Sequence, residues 1–140
     1  MKNIPLKGRR ILLIGGAGFI GHNIALHLLS LDAEVSIIDG LQVNNVTSVI
    51  GNSDNLPYPK LAYTVLNERI DLINKSEVNF YVQDARNYHA LSSLISKINP
   101  QVIIHLAAVS HANRSNKNPY STFDHSLRTL ENALDNAKNK

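Results

Sequence analysis

Ile11-Leu12-Leu13-Ile14-Gly15-Gly16-Ala17-Gly18-Phe19-Ile20-Gly21 is the stretch that decides how this chain reads. Four apolar residues run into four glycines spread over seven positions, and a helical pattern follows at Ile24, Leu26, Leu28 and Leu29. A strand that turns through glycines into a helix makes an anion site. Glycine permits positive φ and lets the backbone approach a phosphate with no Cβ between them. The first free N–H groups of the helix point at that anion, with the macrodipole behind them. Eighteen residues after Gly21 a second apolar run, Val35-Ser36-Ile37-Ile38, ends in Asp39. An acid at about that spacing is what a ribose diol requires of a dinucleotide site. Strand, glycines, helix, strand and acid in this order predict a dinucleotide-binding fold. The competing readings are a tight strand–helix turn with no ligand, and an Asp39 that merely faces a loop beside Gly40.

Working outward, strands and helices alternate. Strands are expected at Arg10–Ile14, Glu34–Asp39, Val78–Gln83 and Gln101–Ala107. Helices are expected at Gly18–Ser30, at Pro59–Lys75 from the recurrence of Ala62, Val65, Leu66, Ile70 and Ile73, and after Asn87 with Leu91, Leu94, Ile95 and Ile98 inward. A last helix over Pro119–Lys138 is expected to bury Phe123, Leu127, Leu130, Leu134 and Ala137 as one stripe. Residues 40–57 are polar and rich in glycine and asparagine, and read as a loop. This alternation predicts an α/β Rossmann-type doubly wound parallel sheet of about four strands in the order 3-2-1-4, one domain over residues 1–140. Strand four reads as buried on both faces, as in the interior of a parallel sheet. It is nevertheless last in the order. An apolar strand with an unpaired edge invites pairing, so either a second chain covers it or the sheet continues. Self-association, as a homo-oligomer, is the expectation.

Composition narrows the function. The chain has 140 residues, 44% hydrophobic and 18% charged, as in a globular domain. A net charge of +3 with scattered Lys and Arg argues against nucleic-acid binding. No apolar run approaches a membrane span, and the basic N-terminus before Ile11 is better explained by a first strand than by a signal peptide. Without cysteine there is no disulfide framework, thiolate nucleophile or thiolate metal site, which fits a cytoplasmic location. The six histidines show no metal-ligand spacing: His22 and His27 are five apart, and His105 and His111 straddle a strand end. No metal is expected.

Gly15 to Gly21, Asp39, Asp84-Ala85-Arg86 and His105-Leu106-Ala107-Ala108 together resemble the extended short-chain dehydrogenase/reductase family, and more narrowly its NAD-dependent epimerases and dehydratases acting on nucleotide sugars. Ala107 to Ser115 is similar to the segment after strand four in sugar-nucleotide 4,6-dehydratases. The resemblance runs over nearly the whole chain but over only the N-terminal half of the family's usual length, with the catalytic and substrate portion expected beyond it.

The resemblance implies NAD as cofactor and a nucleotide sugar as partner of a longer form. By position, Gly15, Gly18 and Gly21 would form the turn on the pyrophosphate, with backbone N–H groups of Phe19 and Ile20 offered to it. Asp39 would bind the adenosine ribose and disfavour a 2′-phosphate. Asp84 and Ala85 would border the adenine, although Asp84 also reads as an ordinary strand-end or capping acid. Leu106, Ala107 and Ala108 would pass beneath the nicotinamide ribose, with Ser110 near the reactive end or simply bonding its own loop. Arg114 is a weaker phosphate or sugar candidate. The last helix would join a dimer's four-helix bundle.

Two departures stand against this pattern. His125 and Arg128 occupy the positions of the family's asparagine and of the glycine three residues on. The catalytic Tyr-x-x-x-Lys is absent: the residues four after Tyr58, Tyr63, Tyr81, Tyr88 and Tyr120 are Ala62, Asn67, Ala85, Ser92 and Asp124. That lysine lowers the tyrosine's pKa so that it can take the sugar hydroxyl's proton as hydride leaves. No catalytic residue is therefore assigned. The expectation is an NAD-binding portion without turnover of its own; a stand-alone dinucleotide-binding module is the alternative, and an unrelated flavin or nucleotide binder a third.

Overall fold

Strand β1 (Arg10–Ile14) has Leu12, Leu13 and Ile14 fully buried, and the rest of the fold is arranged around it. A computed structural model describes residues 5–42, 57–109 and 118–138. β1 leads into helix α1 (Phe19–Ser30), then strand β2 (Glu34–Asp39), helix α2 (Pro59–Asn74), strand β3 (Asn79–Val82), helix α3 (Tyr88–Ile98), strand β4 (Val102–His105) and helix α4 (Pro119–Lys138). The sheet is parallel with order β3-β2-β1-β4, as the alternation predicts. Leu13 lies opposite Ile37 on one side and Ile104 on the other, so the strand ends that carry the glycine turn, Asp39 and Leu106 come out side by side.

Successive β1 residues point to opposite faces, and each face has its own core. Ile11 and Leu13 join Val35, Ile37, Ala25 and Ile73 beneath α1 and α2. Leu12 and Ile14 join Ile38, Leu91, Ile95 and Ala133 beneath α3 and α4. Helices on both faces of a parallel sheet make the doubly wound arrangement. Caps fall where the sequence supplies them. The Asn87 side chain accepts from the Ala90 N–H at 3.1 Å, and Asn99 ends α3 in the left-handed region at φ 48°, just before Pro100. Asn118 accepts from the Ser121 N–H at 2.9 Å ahead of Pro119.

Two burial expectations are corrected. β4 is half-buried along its whole length, not enclosed, because among the described residues only β1 pairs with it. The apolar stripe of α4 faces outward: Phe123 and Leu134 are each 61% exposed and Leu127 54%, with Leu130 and Ala137 exposed as well. The buried residues of α4 are Thr129, Asn132 and Ala133. This inversion has a polar cause. Asn132 Nδ2 donates to the carbonyls of Ala85 (2.9 Å) and Arg86 (3.1 Å), Thr129 Oγ1 lies 3.3 Å from that of Ala107 while reaching the His125 carbonyl of its own helix at 2.7 Å, and Ser126 Oγ accepts from the Val109 N–H (3.1 Å). Loops leaving the strand ends carry backbone groups with no ladder to satisfy them, and a buried unsatisfied group costs about 1–3 kcal/mol. Side chains that satisfy them must be polar, so the apolar stripe two positions round the helix is turned about 200° away, at about 100° per residue.

Candidate functional site

The glycine turn is held by the strand ends on either side of it. The Gly15 N–H donates to the Ile38 carbonyl at 2.7 Å, and the Leu106 N–H donates to that of Ile14 at 2.8 Å. Gly15 has φ +79°, and a Cβ there would stand 2.6 Å from the backbone nitrogen of Ala107. A Cβ at Gly21 would meet the Gly16 carbonyl oxygen at 2.5 Å, so helix and turn pack this closely only with glycine at Gly21, just as the turn lies this close to the backbone after β4 only with glycine at Gly15. Gly18 is different: its Cβ direction is open, with nothing nearer than the Gly15 oxygen at 3.5 Å. It is the N-cap of α1, no side chain caps the helix, and no acid lies in its first turn. The first N–H groups of a helix have no intrahelical acceptors. Here they border a cleft of about 890 Å³ whose lining includes Gly15, Gly18, Phe19, Ile20 and Gly21.

Asp39 closes the next side of the cleft. It is 9% exposed and lines the cavity. Its Oδ2 accepts from the Ala17 N–H at 3.0 Å and its Oδ1 from the Leu41 N–H at 2.7 Å. The carboxylate thereby ties the glycine turn to the end of β2 and holds Leu41 in the left-handed region, at φ 55°. Burial pushes its pKa up, opposed by the Leu41 and Ala17 N–H groups and by the nearby charge of Arg69. Each oxygen has one backbone donor, which leaves acceptor capacity toward the cleft.

Asp84 and Ala85 line the cleft, but the Asp84 carboxylate is already engaged. Arg86 donates to it from Nε at 3.1 and 3.0 Å and from Nη2 at 2.6 Å, and the Arg86 backbone N–H adds a fourth bond at 2.9 Å. These bonds, with the Arg86 charge, hold the Asp84 carboxyl below its ordinary value. Arg86 Nη1 also donates to Asp124 of α4 at 2.8 Å. Asp84 is therefore a strand-end anchor that braces α4 against the loop after β3, with its edge on the cleft.

Leu106, Ala107 and Ala108 line the far wall after β4, together with Ser121, His125 and Thr129 of α4. His125 Nδ1 lies 2.8 Å from the Ser121 carbonyl, which fixes its ring as a donor there. His105 Nε2 lies 3.1 Å from Thr129 Oγ1, and burial lowers its pKa. Ser110 and Arg114, like His111, fall outside the described residues.

Residues 11–140 match the NAD dependent epimerase/dehydratase family. The chain belongs to that family. It is 34% identical over 120 residues to a UDP-glucose 4-epimerase of Cyamopsis tetragonoloba, with 86% of this chain and 30% of that protein covered. It is 30% identical over 109 residues to a dTDP-glucose 4,6-dehydratase of Neisseria meningitidis serogroup B, covering 76% and 25%. The Thermus thermophilus UDP-glucose 4-epimerase complex with NAD superposes with a TM-score of 0.68 at 25% identity, over 93% of this chain and 34% of that one. The UDP-Glc/GlcNAc 4-epimerase of Campylobacter jejuni, at 22% identity and a TM-score of 0.71, shares the fold over 94% and 34%. The chain spans about 30% of the length of the curated relatives it matches.

For a member of this family the cleft also holds residues that sequence patterns did not single out. Arg69 reaches it from α2 and is 9% exposed, a cation inside the stripe formed by Leu66, Ile70 and Ile73. A lone arginine at apolar spacing was the available signal. Gln42, Asn118 and Thr122 border the same space without any local pattern that would mark them. Among the described residues no three His, Asp or Glu side chains are grouped to hold a metal ion, and no helix is long and apolar enough to cross a membrane.

Proposed function

We propose that this chain is the NAD-binding portion of an enzyme that epimerises or dehydrates a nucleotide sugar. The observation that carries the reading is the uncapped N-terminus of α1, opening on the same cleft as the buried carboxylate of Asp39. Phe19 and Ile20 would offer backbone N–H groups to the pyrophosphate, and Asp39 would accept from the adenosine ribose hydroxyls. Ala85 would border the adenine; Leu106, Ala107 and Ala108 would pass under the nicotinamide ribose, with Ser110 beyond them. Bound NAD would supply a reversible hydride acceptor, which suits transient oxidation of a sugar hydroxyl. The Tyr-x-x-x-Lys pair that would move the hydroxyl proton has no counterpart in these 140 residues, so we assign binding and not turnover to the chain. Its cysteine-free composition fits work in the cytoplasm.

The outward stripe of α4 supports self-association with a second copy. Tyr120, Phe123, Leu127, Leu130 and Leu134 are exposed at alternating three- and four-residue spacing, the pattern of a helix seam. Asp124, Arg128 and Glu131 flank it with both signs of charge, as a self-complementary surface requires.

Calorimetric titration of the chain with NAD⁺, with NADP⁺ beside it, tests the cofactor reading. Saturable binding that prefers NAD⁺ and is abolished in Asp39→Ala is expected. A folded chain that binds neither nucleotide would overturn it.

A further inference from the structure

β3 closes the sheet on the side away from β4, and among the described residues only β2 pairs with it. The Gln83 N–H donates to the Asp39 carbonyl at 3.0 Å, which fixes the alternation along the strand. The backbone groups of Tyr81 therefore turn toward β2, and those of Phe80 and Val82 turn to the open edge. Folded proteins blunt such an edge with charge, proline or a bulge. Here none of the three is present. Asn79-Phe80-Tyr81-Val82-Gln83 holds no charged residue and no proline, and Glu77 and Asp84 lie outside it. Its register with β2 runs unbroken from Ser36↔Asn79 to Asp39↔Val82. Val82, β-branched and apolar, is 63% exposed. The cation of Lys97 sits 5.6 Å from the centroid of the Tyr81 ring, over a face of the sheet and not on its edge.

We propose that the β3 edge is a self-association site, where a second copy of this chain adds its own β3 antiparallel and continues the sheet through both copies. The strand itself names the occupant, because it is its own complement. Antiparallel pairing through the outward groups sets Phe80 of each copy opposite Val82 of the other, with Tyr81 facing Tyr81 on the two-fold axis. Phe80 and Val82 then exchange about four N–H···O=C bonds across the edge. Asn79 falls opposite Gln83, amide against amide, and no like charges meet along the strand. Alternate residues share a face, so the partner copy's aromatic ring covers the exposed Val82, an aromatic–β-branched pair formed twice. A four-residue strand makes a small contact, which places the pair in the weak, concentration-dependent class. This edge is separate from the outward stripe of α4 and does not depend on the dinucleotide reading.

The test is amide hydrogen exchange of the unaltered chain in dilute and concentrated solution, beside light scattering of Leu127→Ser with and without Val82→Lys. The Phe80 and Val82 amides are expected to gain protection in the concentrated sample, while that of Tyr81, already bonded to β2, stays as it was. Leu127→Ser, with the α4 stripe interrupted, should still associate at high concentration. Adding Val82→Lys should weaken that association roughly tenfold, since both aromatic–β-branched pairs are lost at once. Thermal melting checks that each variant folds, and the exchange measurement needs no variant at all. Phe80 and Val82 amides that exchange at the same rate at every concentration would overturn the proposal. So would a Leu127→Ser chain that stays monomeric, or an association that Val82→Lys leaves unmoved.

Discussion

Helices α1 and α4 both border the cleft, and they are amphipathic in opposite senses. α1 turns Ala25, with Ile24, Leu28 and Leu29, onto the sheet beside Leu13 and Ile37. α4 turns Thr129 and Asn132 inward and leaves Phe123, Leu127 and Leu134 outside. The difference follows from what each helix covers. α1 lies over the middle of the sheet, where strand ladders already satisfy the backbone and only apolar area remains to be buried. α4 packs Ala133 on the sheet but also lies across the loops leaving β3 and β4, where carbonyls and N–H groups need partners. An apolar stripe thus turns into the core where the neighbour is sheet, and turns outward where the neighbour is loop with backbone groups to satisfy.

The contrast can be broken on either side. Leu13→Ala, beneath α1, should have the largest effect, about 2–5 kcal/mol of folding stability read from urea midpoints, since a fully buried leucine leaves a cavity. Asn132→Ala should come next. It strips the Ala85 and Arg86 carbonyls of a donor, at about 1–3 kcal/mol, and loosens the α4 side of the cleft. An equal loss from Leu127→Ala would contradict the inverted orientation of α4.

Acid should act on the same side of the molecule. The folded pKa of Asp84 lies below its ordinary value of 3.8, so its contribution is complete above that value and lost as pH falls through the lower, folded one. Thermal melts from pH 5 downward should show a steeper decline in the unaltered chain than in Arg86→Met, where the cause of the lowered pKa is gone. Parallel curves would mean that the Asp84–Arg86–Asp124 brace contributes nothing.

The smallest stability effect is expected from Leu127→Ser, about 0.5 kcal/mol, because the residue is already 54% exposed. Its effect should appear instead in light scattering at high concentration, as a shift toward monomer. A Leu127→Ser chain as associated as its parent would remove α4 from the association surface.

Much of the fold was legible because it rests on local rules. β1, β2 and α4 begin and end where periodicity, glycine and proline place them, and the strand order follows from right-handed crossovers. β3 and β4 are shorter at their ends than the apolar runs suggested, since pairing and not hydrophobicity sets a strand's length. In the site, Gly15, Gly18, Gly21 and Asp39 were legible from spacing alone. Arg86 was visible only as part of a motif, since its second partner, Asp124, lies 38 residues further along the chain.

The sequence by itself determined the doubly wound parallel sheet, the glycine turn into α1 and the acid at the end of β2, because each follows from the order and spacing of successive strands, turns and helices along the chain. Only the tertiary structure decided which way α4 faces, what occupies the Asp84 carboxylate and that Arg69 joins Asp39 in one cleft. Those outcomes depend on which unsatisfied backbone groups and charges from distant segments meet in space, and no period along the chain records that meeting.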